Sequence, residues 1–190
     1  MSQEVINPNG TQATTATELP KPVKPKIDVQ PVLEKLFELY PSLFGAKFLP
    51  LKRGIFQDLM AAHPDVFYIF FLEAALGFHT LSTRYLQCVA DGHKRHDLKG
   101  LAGEEVAPEH VYLSLLELFR RRVIHNNKSR TKLDLRPIFR KQLIAAFKAS
   151  GLSRQDYQLR VQNSDEEATK LLIESLDEYE AKVAKQTALK

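Results

Sequence analysis

The sequence predicts a predominantly α-helical α+β fold with one small β-hairpin and extra helices in its C-terminal part. Apolar residues recur at helical spacing in most segments between residues 29 and 185, and prolines or glycines separate those segments. The stretch from 93 to 106 differs, because two short extended segments flank the turn Lys99-Gly100. With 190 residues and 44% hydrophobic content, the chain can bury a core of moderate size.

The N-terminal leader, residues 1–28, is expected to be disordered. It is rich in Thr, Asn, Pro and Gln, and three prolines alternate with lysines near its end. Such a composition contains too little apolar surface to offset the entropy that a chain loses on folding. We therefore expect the folded part of the chain to begin at residue 29.

The first two helices are predicted on either side of an irregular segment. Apolar pairs from Val32 to Tyr40 recur at helical spacing, and Pro41 ends this first helix. Residues 44–51 are expected to be irregular or extended. A second, shorter helix then begins at Gly54 and ends at His63-Pro64.

The third helix is predicted to be the buried centre of the domain. Asp65 can cap its N-terminus, and the helix is expected to run through Gly77. Residues 66–72 are almost all apolar and therefore point to every side of a helix, which leaves no polar face. A fourth helix, Thr83–Ala90, follows a polar turn. Its Cys88 is expected to be a small buried residue.

The C-terminal half is predicted to return to helices after the hairpin. Pro108 fits the first position of a fifth helix that reaches about residue 124. A further helix is expected over residues 137–150, and Ser153 can cap a short one after it. Ser164 and Glu167 form a capping box before the last helix, which runs to about residue 185.

The net charge of +4 is unevenly distributed along the chain. Residues 120–160 contain twelve Lys or Arg and two Asp, whereas residues 102–119 contain four Glu and no cation. A basic block favours a polyanionic partner, although a solvated linker has the same composition. The cations expected to contact a nucleic-acid backbone in this block are Arg120, Arg121, Arg122, Lys128, Arg130 and Lys132.

The stretch from Leu76 to Gly100 contains the densest group of candidate binding residues. Hydroxyls and cations suit phosphate oxygens, and they are Thr80, Ser82, Thr83, Arg84, Lys94 and Arg95. Tyr85 offers a face on which a base or ribose can stack. An inward orientation fits the sequence equally well, and Tyr85 would then be a core aromatic with its hydroxyl satisfied.

A second candidate is the segment Lys52-Arg53-Gly54. A glycine at a helix start lets an anion approach the free backbone N–H groups, and two cations adjoin it here. An ordinary helix start with two solvated basic residues has the same pattern, so both interpretations stand.

Other chemistry is not expected. No apolar run approaches the roughly 18 residues of a membrane span, and one cysteine cannot form an internal disulfide, which fits a reducing cytoplasm. His93 and His96 suggest a metal, but strand spacing places them on opposite faces. Pairing His79 with His96 for acid–base chemistry lacks a supporting carboxylate or lysine. We therefore expect no metal, no cofactor and no enzymatic activity.

Two motifs together resemble the ProQ/FinO family of bacterial RNA chaperones. They are PLKRGIFQDL, residues 50–59, and LGFHTLSTRYLQCVADGHKRHDLKG, residues 76–100. The similarity covers roughly residues 30–120. It implies an elongated, FinO-like helical fold with a small β-hairpin. It also implies binding of structured RNA at the base of a hairpin stem together with its single-stranded 3′ tail, as in intrinsic terminators.

The resemblance assigns roles to individual residues. It places Lys52 and Gly54 beside the RNA 3′ end, makes Tyr85 the pocket tyrosine, and makes Arg95 the arginine of the hairpin. This chain departs from the family at Glu73 and Gly77, which stand where some members carry RNA-facing arginines on the third helix. Glu73 would repel phosphate, so the RNA path differs there or other cations take over. Those cations are Arg53, Arg84 and Lys94.

The expected organisation is a leader over residues 1–28, an RNA-binding domain over 29–124, a basic linker over 125–134 and a helical extension over 135–190. The predicted function is that of a cytoplasmic RNA chaperone, which binds small regulatory RNAs and mRNA 3′ ends without a membrane or a covalent step. Two alternatives stay open. One is a protein–protein adaptor that docks a partner through an apolar stripe on the last helix. The other is a nonspecific nucleic-acid binder that uses residues 120–160.

Overall fold

The computed structural model describes residues 28–188, so nearly all of the expected leader lies outside the described residues. Nine helices are present in that range. They are α1 (Gln30–Leu39), α2 (Pro41–Phe44), α3 (Ile55–Ala62), α4 (Ile69–Thr80), α5 (Thr83–Ala90), α6 (Pro108–Lys128), α7 (Arg136–Ser150), α8 (Arg154–Arg160) and α9 (Glu166–Ala188). None of them is long and apolar enough to cross a membrane. The prediction of a predominantly helical chain is confirmed.

The segment after α1 contains a short helix that the sequence did not predict. Pro41 ends α1 and also begins α2, because proline is tolerated in the first turn of a helix, where no N–H partner is needed. Gly45 follows α2 directly, and a Cβ there would collide with the carbonyl oxygen of Pro41. A glycine is therefore required where the chain leaves α2.

The start of α3 agrees with the prediction. Gly54 is its N-cap residue and has a φ of 82°, a left-handed conformation that a side chain would strain. The fourth predicted helix is also present as α5, and Ser82 caps it by accepting a hydrogen bond from Tyr85 N–H at 3.2 Å. Cys88 is buried there, and its burial raises the pKa of the thiol to about 12.

The prediction that the third helix is the buried centre of the domain is wrong. This helix, α4, begins at Ile69 and buries one side only. It packs against α1, α3 and α5, and no other element of the described chain covers its opposite side. Several aromatic residues of the predicted core are therefore exposed, among them Tyr68, Phe70 and Phe71.

The predicted hairpin forms a tight turn without regular strands in the described chain. Its pairing is limited to two isolated bridges, in which His96 pairs with Leu51 in parallel and with Ala102 in antiparallel orientation. Asp97 closes the turn, because its Oδ1 accepts hydrogen bonds from the N–H groups of Lys99 and Leu101, both at 2.9 Å. The turn is thus attached to the segment that leads into α3.

The C-terminal helices pack on the rest of the chain. The helix α6 runs to Lys128, so the connection to α7 begins later than the predicted linker. The rings of Phe119 in α6 and Phe139 in α7 stack with centroids 4.2 Å apart and planes inclined by 8°. Buried residues from Leu36 in α1 to Leu176 in α9 form one continuous hydrophobic cluster.

The two predicted caps in this part have different outcomes. Ser153 caps α8, since its hydroxyl accepts a hydrogen bond from Asp156 N–H at 3.1 Å. The capping box of Ser164 and Glu167 is not formed. Instead, the Oδ1 of Asp165 accepts a hydrogen bond from Ala168 N–H at 3.0 Å.

Candidate nucleic-acid interface

Tyr85 and Arg95 meet at a single peptide segment. The hydroxyl of Tyr85 accepts a hydrogen bond from Leu51 N–H at 3.0 Å, and Nη1 of Arg95 donates to the Leu51 carbonyl at 2.9 Å. The next residue, Lys52, donates its N–H to His96 O at 2.8 Å. The segment that leads to Gly54 is therefore held by α5 on one side and by the hairpin turn on the other.

The ring of Tyr85 is not available to a ligand. Only 7% of the residue is exposed, and its ring centroid lies 5.3 Å from that of His79 in the core. Burial raises the pKa of its hydroxyl. The expectation that Tyr85 offers a stacking face is corrected. Of the two orientations that fit the sequence, the structure has the inward one with a satisfied hydroxyl.

Three cations line an open cavity of about 410 Å³ beside the start of α3. They are Lys52, Arg53 and Arg95, and two acidic residues, Asp97 and Glu104, share the cavity. Arg95 is mostly buried, with 12% of its side chain exposed, whereas Lys52 and Arg53 are about half exposed. The cavity thus has a fixed cation at one wall and two adaptable ones at its rim.

The cations of this cavity already have acidic neighbours. Lys52 Nζ lies 2.8 Å from Asp58 Oδ2, and this hydrogen bond raises the pKa of Lys52. Glu104 Oε1 lies 3.4 Å from Arg53 Nε and 3.6 Å from Arg95 Nε. The carboxylate of Glu104 therefore lies beside the Nε atoms of both guanidinium groups and offsets part of their positive charge.

The sequence interpretation missed Glu104 and His110. The sequence did indicate the position of Glu104, because Arg95 and Glu104 are equally far from the turn Lys99-Gly100 and are therefore expected to lie opposite each other. In the structure, Arg95 N–H donates a hydrogen bond to Glu104 O at 2.8 Å. His110 Nδ1 lies 3.3 Å from Arg95 Nη2, and burial and the charge of Arg95 lower its pKa. A neutral His110 therefore accepts the hydrogen bond of Arg95.

The hydroxyl turn before Tyr85 lies outside this cavity. Thr80 donates its hydroxyl to Leu76 O at 2.8 Å, and Ser82 caps α5, so both hydroxyls serve helix ends. Thr83 is exposed and accepts a hydrogen bond from Arg121 Nη1 at 3.1 Å. The guanidinium of Arg84 lies 4.5 Å from the ring centroid of Phe48 and donates to a backbone carbonyl.

The structure therefore divides the predicted residues into two groups. Lys52, Arg53 and Arg95 line one cavity, and Lys94 is exposed beside Arg95. Ser82 and Arg84 line a separate open cavity of about 540 Å³ together with four phenylalanines. No group of three or more His, Cys, Asp or Glu side chains in residues 28–188 is arranged to hold a metal ion.

Comparison with known proteins decides the family. The family model described as ProQ/FINO matches residues 27–131, which is more than half of the chain. The chain belongs to the ProQ/FINO family. Two similar proteins, each named RNA chaperone ProQ, come from Shewanella pealeana and Shewanella halifaxensis. Each is 40% identical over 88 residues, which is 44% of this chain and 42% of the relative. The chain thus spans less than half of the length of these two relatives.

A more distant relative and two solved structures are also similar. An RNA chaperone ProQ from Alteromonas mediterranea is 31% identical over 110 residues, 56% of this chain and 50% of the relative. A FinO-like RNA chaperone from Neisseria meningitidis has 31% identity and a TM-score of 0.42 over 45% of this chain and 88% of that one. A ProQ homolog from Legionella pneumophila has 26% identity and a TM-score of 0.44 over 62% of this chain and 99% of that one.

The ProQ/FINO segment contains both groups of candidate residues, whereas α7, α8 and α9 lie outside it. In the structure, much of the basic block expected after residue 120 is neutralised by acids of α9 and the residues before it. Arg120 pairs with Asp165 at 2.7 Å, and Arg154 pairs with Asp177 at 2.6 Å. Arg136 and Arg140 likewise pair with acidic residues of α9. The expected surplus of positive charge is therefore much smaller in three dimensions than along the sequence.

Six exposed cations of the block have no ion-pair partner among residues 28–188. Four of them cluster at the C-terminal end of α6 and in the loop after it, and they are Arg122, Lys128, Arg130 and Lys132; the other two, Lys141 and Lys148, lie on α7. Asn126 holds the loop that carries Arg130 and Lys132, since its side-chain amide bonds both the N–H and the carbonyl of Leu133 at 3.0 and 2.9 Å. Arg121 pairs with Glu117 at 2.8 Å.

The adaptor alternative loses its docking surface. It required the apolar stripe on the last helix to be free for a partner. In the structure Leu171, Leu172 and Leu176 are buried in the common core, and the ring of Tyr179 lies 5.9 Å from that of Phe147. The stripe is therefore used for packing α9 within the chain.

Proposed function

We propose that this chain is an RNA-binding protein that acts as an RNA chaperone. It recognises structured RNA by the base of a hairpin stem and the single-stranded 3′ end, in small regulatory RNAs and in mRNA 3′ ends. By stabilising, pairing or exchanging RNA strands in the cytoplasm, it acts in post-transcriptional regulation. The mechanism is binding alone, without a catalytic step, a metal or a cofactor. A FinO-like domain over residues 29–124 carries this activity, and the C-terminal extension supports it.

The observation that carries this proposal is the cationic cavity beside Gly54. Gly54 has a positive φ and no side chain of its own, and no side chain within the described range caps α3. Free N–H groups and the positive end of the helix dipole attract an anion. Arg53 precedes this glycine directly and reaches the cavity with Lys52 and Arg95. A sugar–phosphate backbone fits this combination of groups.

The acids in the same cavity favour an RNA end that carries a hydroxyl. Carboxylates accept hydrogen bonds from the 2′ and 3′ hydroxyls of a terminal ribose but repel a terminal phosphate. Glu104 lies between two guanidinium groups, and Asp97 faces the same space. The cations therefore hold the last internal phosphate, and the carboxylates select a free 3′ hydroxyl.

A basic track along α6 extends this site toward the stem. Arg121 and Lys128 lie eleven and eighteen residues after His110. These separations put all three residues on one face of a helix with 3.6 residues per turn. His110 contacts Arg95, and Arg121 contacts Thr83. At 1.5 Å per residue, Lys128 is about 27 Å from His110 along the axis. We assign Arg121 and Lys128 on this face, together with the nearby exposed Arg122, Arg130 and Lys132, to backbone contacts with the stem.

One titration tests the proposal. The full chain is titrated by fluorescence anisotropy with a terminator hairpin that ends in a 3′ hydroxyl, with the same hairpin carrying a 3′ phosphate, and with duplex DNA of equal charge. We expect the 3′ hydroxyl form to bind about tenfold more tightly than the 3′ phosphate form, and the DNA to bind more weakly than either. Equal affinities for all three ligands would identify general binding to polyanions instead, and absence of binding would refute the proposal.

A further inference from the structure

An aromatic cavity lies where α1, α2 and the segment after it meet the junction of α4 with α5. It has a volume of about 540 Å³ and is open to solvent. Four phenylalanines contribute to its wall, and they are Phe37, Phe44, Phe48 and Phe78. We call it the phenylalanine cavity. Its volume lies within the range of about 300–1,000 Å³ that is typical of sites for small ligands.

Two of these rings are accessible from solvent. Phe37 on α1 is 51% exposed, and Phe78 on α4 is 63% exposed. Neither ring pairs with another aromatic ring among residues 28–188. A free phenylalanine ring is a stacking platform for a nucleobase, because every base has a flat π surface. The cavity thus offers two such ring faces from two different helices.

A cation borders the cavity without an acidic partner. The guanidinium of Arg84 lies 4.5 Å from the ring centroid of Phe48 and lines the same space. It forms no ion pair with a carboxylate in the described part of the chain. Sites for single-stranded nucleic acid combine stacking rings with cations that follow the sugar–phosphate backbone. Arg84 therefore suits the phosphate of a nucleotide whose base enters the cavity.

A buried polar group in the cavity wall lacks a hydrogen-bond partner. His79 is 5% exposed, and its Nε2 bonds to no atom of residues 28–188. Burial and the nearby charge of Arg84 lower the pKa of this ring to about 4, so the ring is neutral near pH 7. Buried polar atoms in proteins are nearly always hydrogen-bonded, and an exception requires an explanation. The edge of a nucleobase supplies both donors and acceptors to such a nitrogen.

The polar groups on α1 favour a base that carries an amino group. Glu34 lines the cavity, and its Oε1 accepts a hydrogen bond from Gln30 Nε2 at 2.9 Å. A carboxylate has further acceptor sites, which suit the amino group of adenine or cytosine. Uracil presents a carbonyl oxygen at the corresponding position and is repelled. The same carboxylate repels phosphate, so the backbone is expected on the side of Arg84.

The cavity adjoins the proposed RNA site through Tyr85. The ring of Tyr85 lies 5.3 Å from that of His79, which lines the phenylalanine cavity. The hydroxyl of the same residue holds Leu51, which precedes the cations beside Gly54. The two cavities therefore lie on either side of one side chain, within reach of the same RNA molecule.

We propose that the phenylalanine cavity binds one unpaired adenine or cytosine next to the hairpin stem. The base stacks on Phe78 with Phe37 beside it, and Arg84 contacts its phosphate. This inference rests on the proposed RNA binding. It adds a contact that selects a base to the site that selects the 3′ end.

Removal of single bases from the RNA tests the proposal. The RNA is a hairpin that ends in a 3′ hydroxyl and has unpaired adenines on both sides of its stem. The full chain is titrated by fluorescence anisotropy with this hairpin and with a series in which each unpaired nucleotide in turn lacks its base. We expect one abasic position to lower the affinity about tenfold, which is the size of effect typical of a lost base–aromatic stack. If no abasic position changes the affinity, the proposal is overturned.

Uracil at the responsive position tests the preference for an amino group. We expect it to lower the affinity about fivefold relative to adenine, because Glu34 then faces a carbonyl oxygen. Equal affinities for adenine and uracil would contradict the assignment of Glu34.

Phe78→Ala provides the matching protein variant. Because Phe78 is 63% exposed, we expect the fold to be retained, and the unfolding temperature checks this. The variant should bind the intact hairpin about tenfold more weakly and lose no further affinity when the responsive base is removed, because both changes remove one contact. Phe37→Ala should reduce the abasic effect in the same direction. An abasic effect of full size in Phe78→Ala overturns the proposal.

Phe70→Ala is the control on the same helix. Phe70 is equally exposed, at 63%, and does not line the cavity. We expect wild-type affinity and the full abasic effect, and an equal loss in both variants contradicts the base site. The two possible failures are distinguishable. A chain that does not bind the intact hairpin refutes the proposed RNA binding, whereas binding that prefers a 3′ hydroxyl but ignores every abasic position refutes the base site alone.

Discussion

Replacing Glu104 by glutamine tests the electrostatics of the cavity directly. The side chain keeps its size but loses the charge that lies 3.4 Å from Arg53 Nε and 3.6 Å from Arg95 Nε. A terminal phosphate that contacted both guanidinium groups would lie about 5–6 Å from this carboxylate. At an effective dielectric constant near 20, the repulsion at that distance is about 3 kcal/mol. Because Glu104 is about half exposed, solvent screening reduces this to about 1–2 kcal/mol.

That free energy corresponds to roughly a tenfold change in affinity. We expect Glu104→Gln to bind the 3′ phosphate hairpin about tenfold more tightly than the wild-type chain does, while its affinity for the 3′ hydroxyl hairpin changes little. The preference for the hydroxyl end is then lost. Anisotropy titrations with both hairpins at one salt concentration measure the effect.

Glu105→Gln is the matched control. It makes the same change in net charge at the next residue, which does not line the cavity. We expect it to leave the ratio of the two affinities unchanged. If both variants shift that ratio equally, the effect comes from the overall charge, and the reasoning about the cavity is refuted.

Three further predictions concern the cations of the cavity, the cations at the end of α6 and the buried His79. Lys52→Gln combined with Arg53→Gln should reduce the slope of log affinity against log salt by about 1.5; unchanged slopes would remove these residues from the interface. A triple variant with Lys128→Gln, Arg130→Gln and Lys132→Gln should lower that slope by about 2–3 and leave the preference for a 3′ hydroxyl unchanged. The control is Lys141→Gln, at an exposed position of α7. It should lower the slope by less than about one, which is the value for a single backbone contact. His79 has a pKa lowered to about 4 by burial, so the unfolded state takes up its proton first as the pH falls. The free energy of unfolding should therefore decrease by about 3 kcal/mol between pH 6.5 and 4 on account of this residue. In His79→Leu, urea unfolding should show a smaller decrease over that window, and an equal decrease would contradict the assignment.

Local signals predicted some of the helix ends. Gly54 at the start of α3 and Ser153 before α8 act through neighbours within four residues, which the sequence displays directly, whereas α2, the start of α4 at Ile69 and the Asp165 cap were missed. The turn closed by Asp97 was also visible in the sequence, although its strands shrank to single bridges. Residues 94–104 pair with one another and with residues 50–52 through only a few backbone hydrogen bonds, so these segments form isolated bridges instead of regular strands.

The errors arose where distant residues decide the outcome. Apolar periodicity placed α4 in the core, but it cannot tell which sides of a helix other elements will cover. Tyr85 turned inward because its hydroxyl finds Leu51 N–H, thirty-four residues away. The charge of Arg140 is neutralised by Glu174, thirty-four residues further along the chain. A count of charges along the sequence cannot reveal such pairs.

The peptide group of Leu51 links ligand recognition to the integrity of the fold. Its N–H and its carbonyl each have one side-chain partner, Tyr85 and Arg95. Removal of either partner leaves a buried polar group unsatisfied, which costs about 1–3 kcal/mol. The two residues are therefore constrained by folding as well as by any ligand. Within this cavity, variation that tunes affinity without weakening the protein is confined to the rim, at Lys52, Arg53 and Glu104.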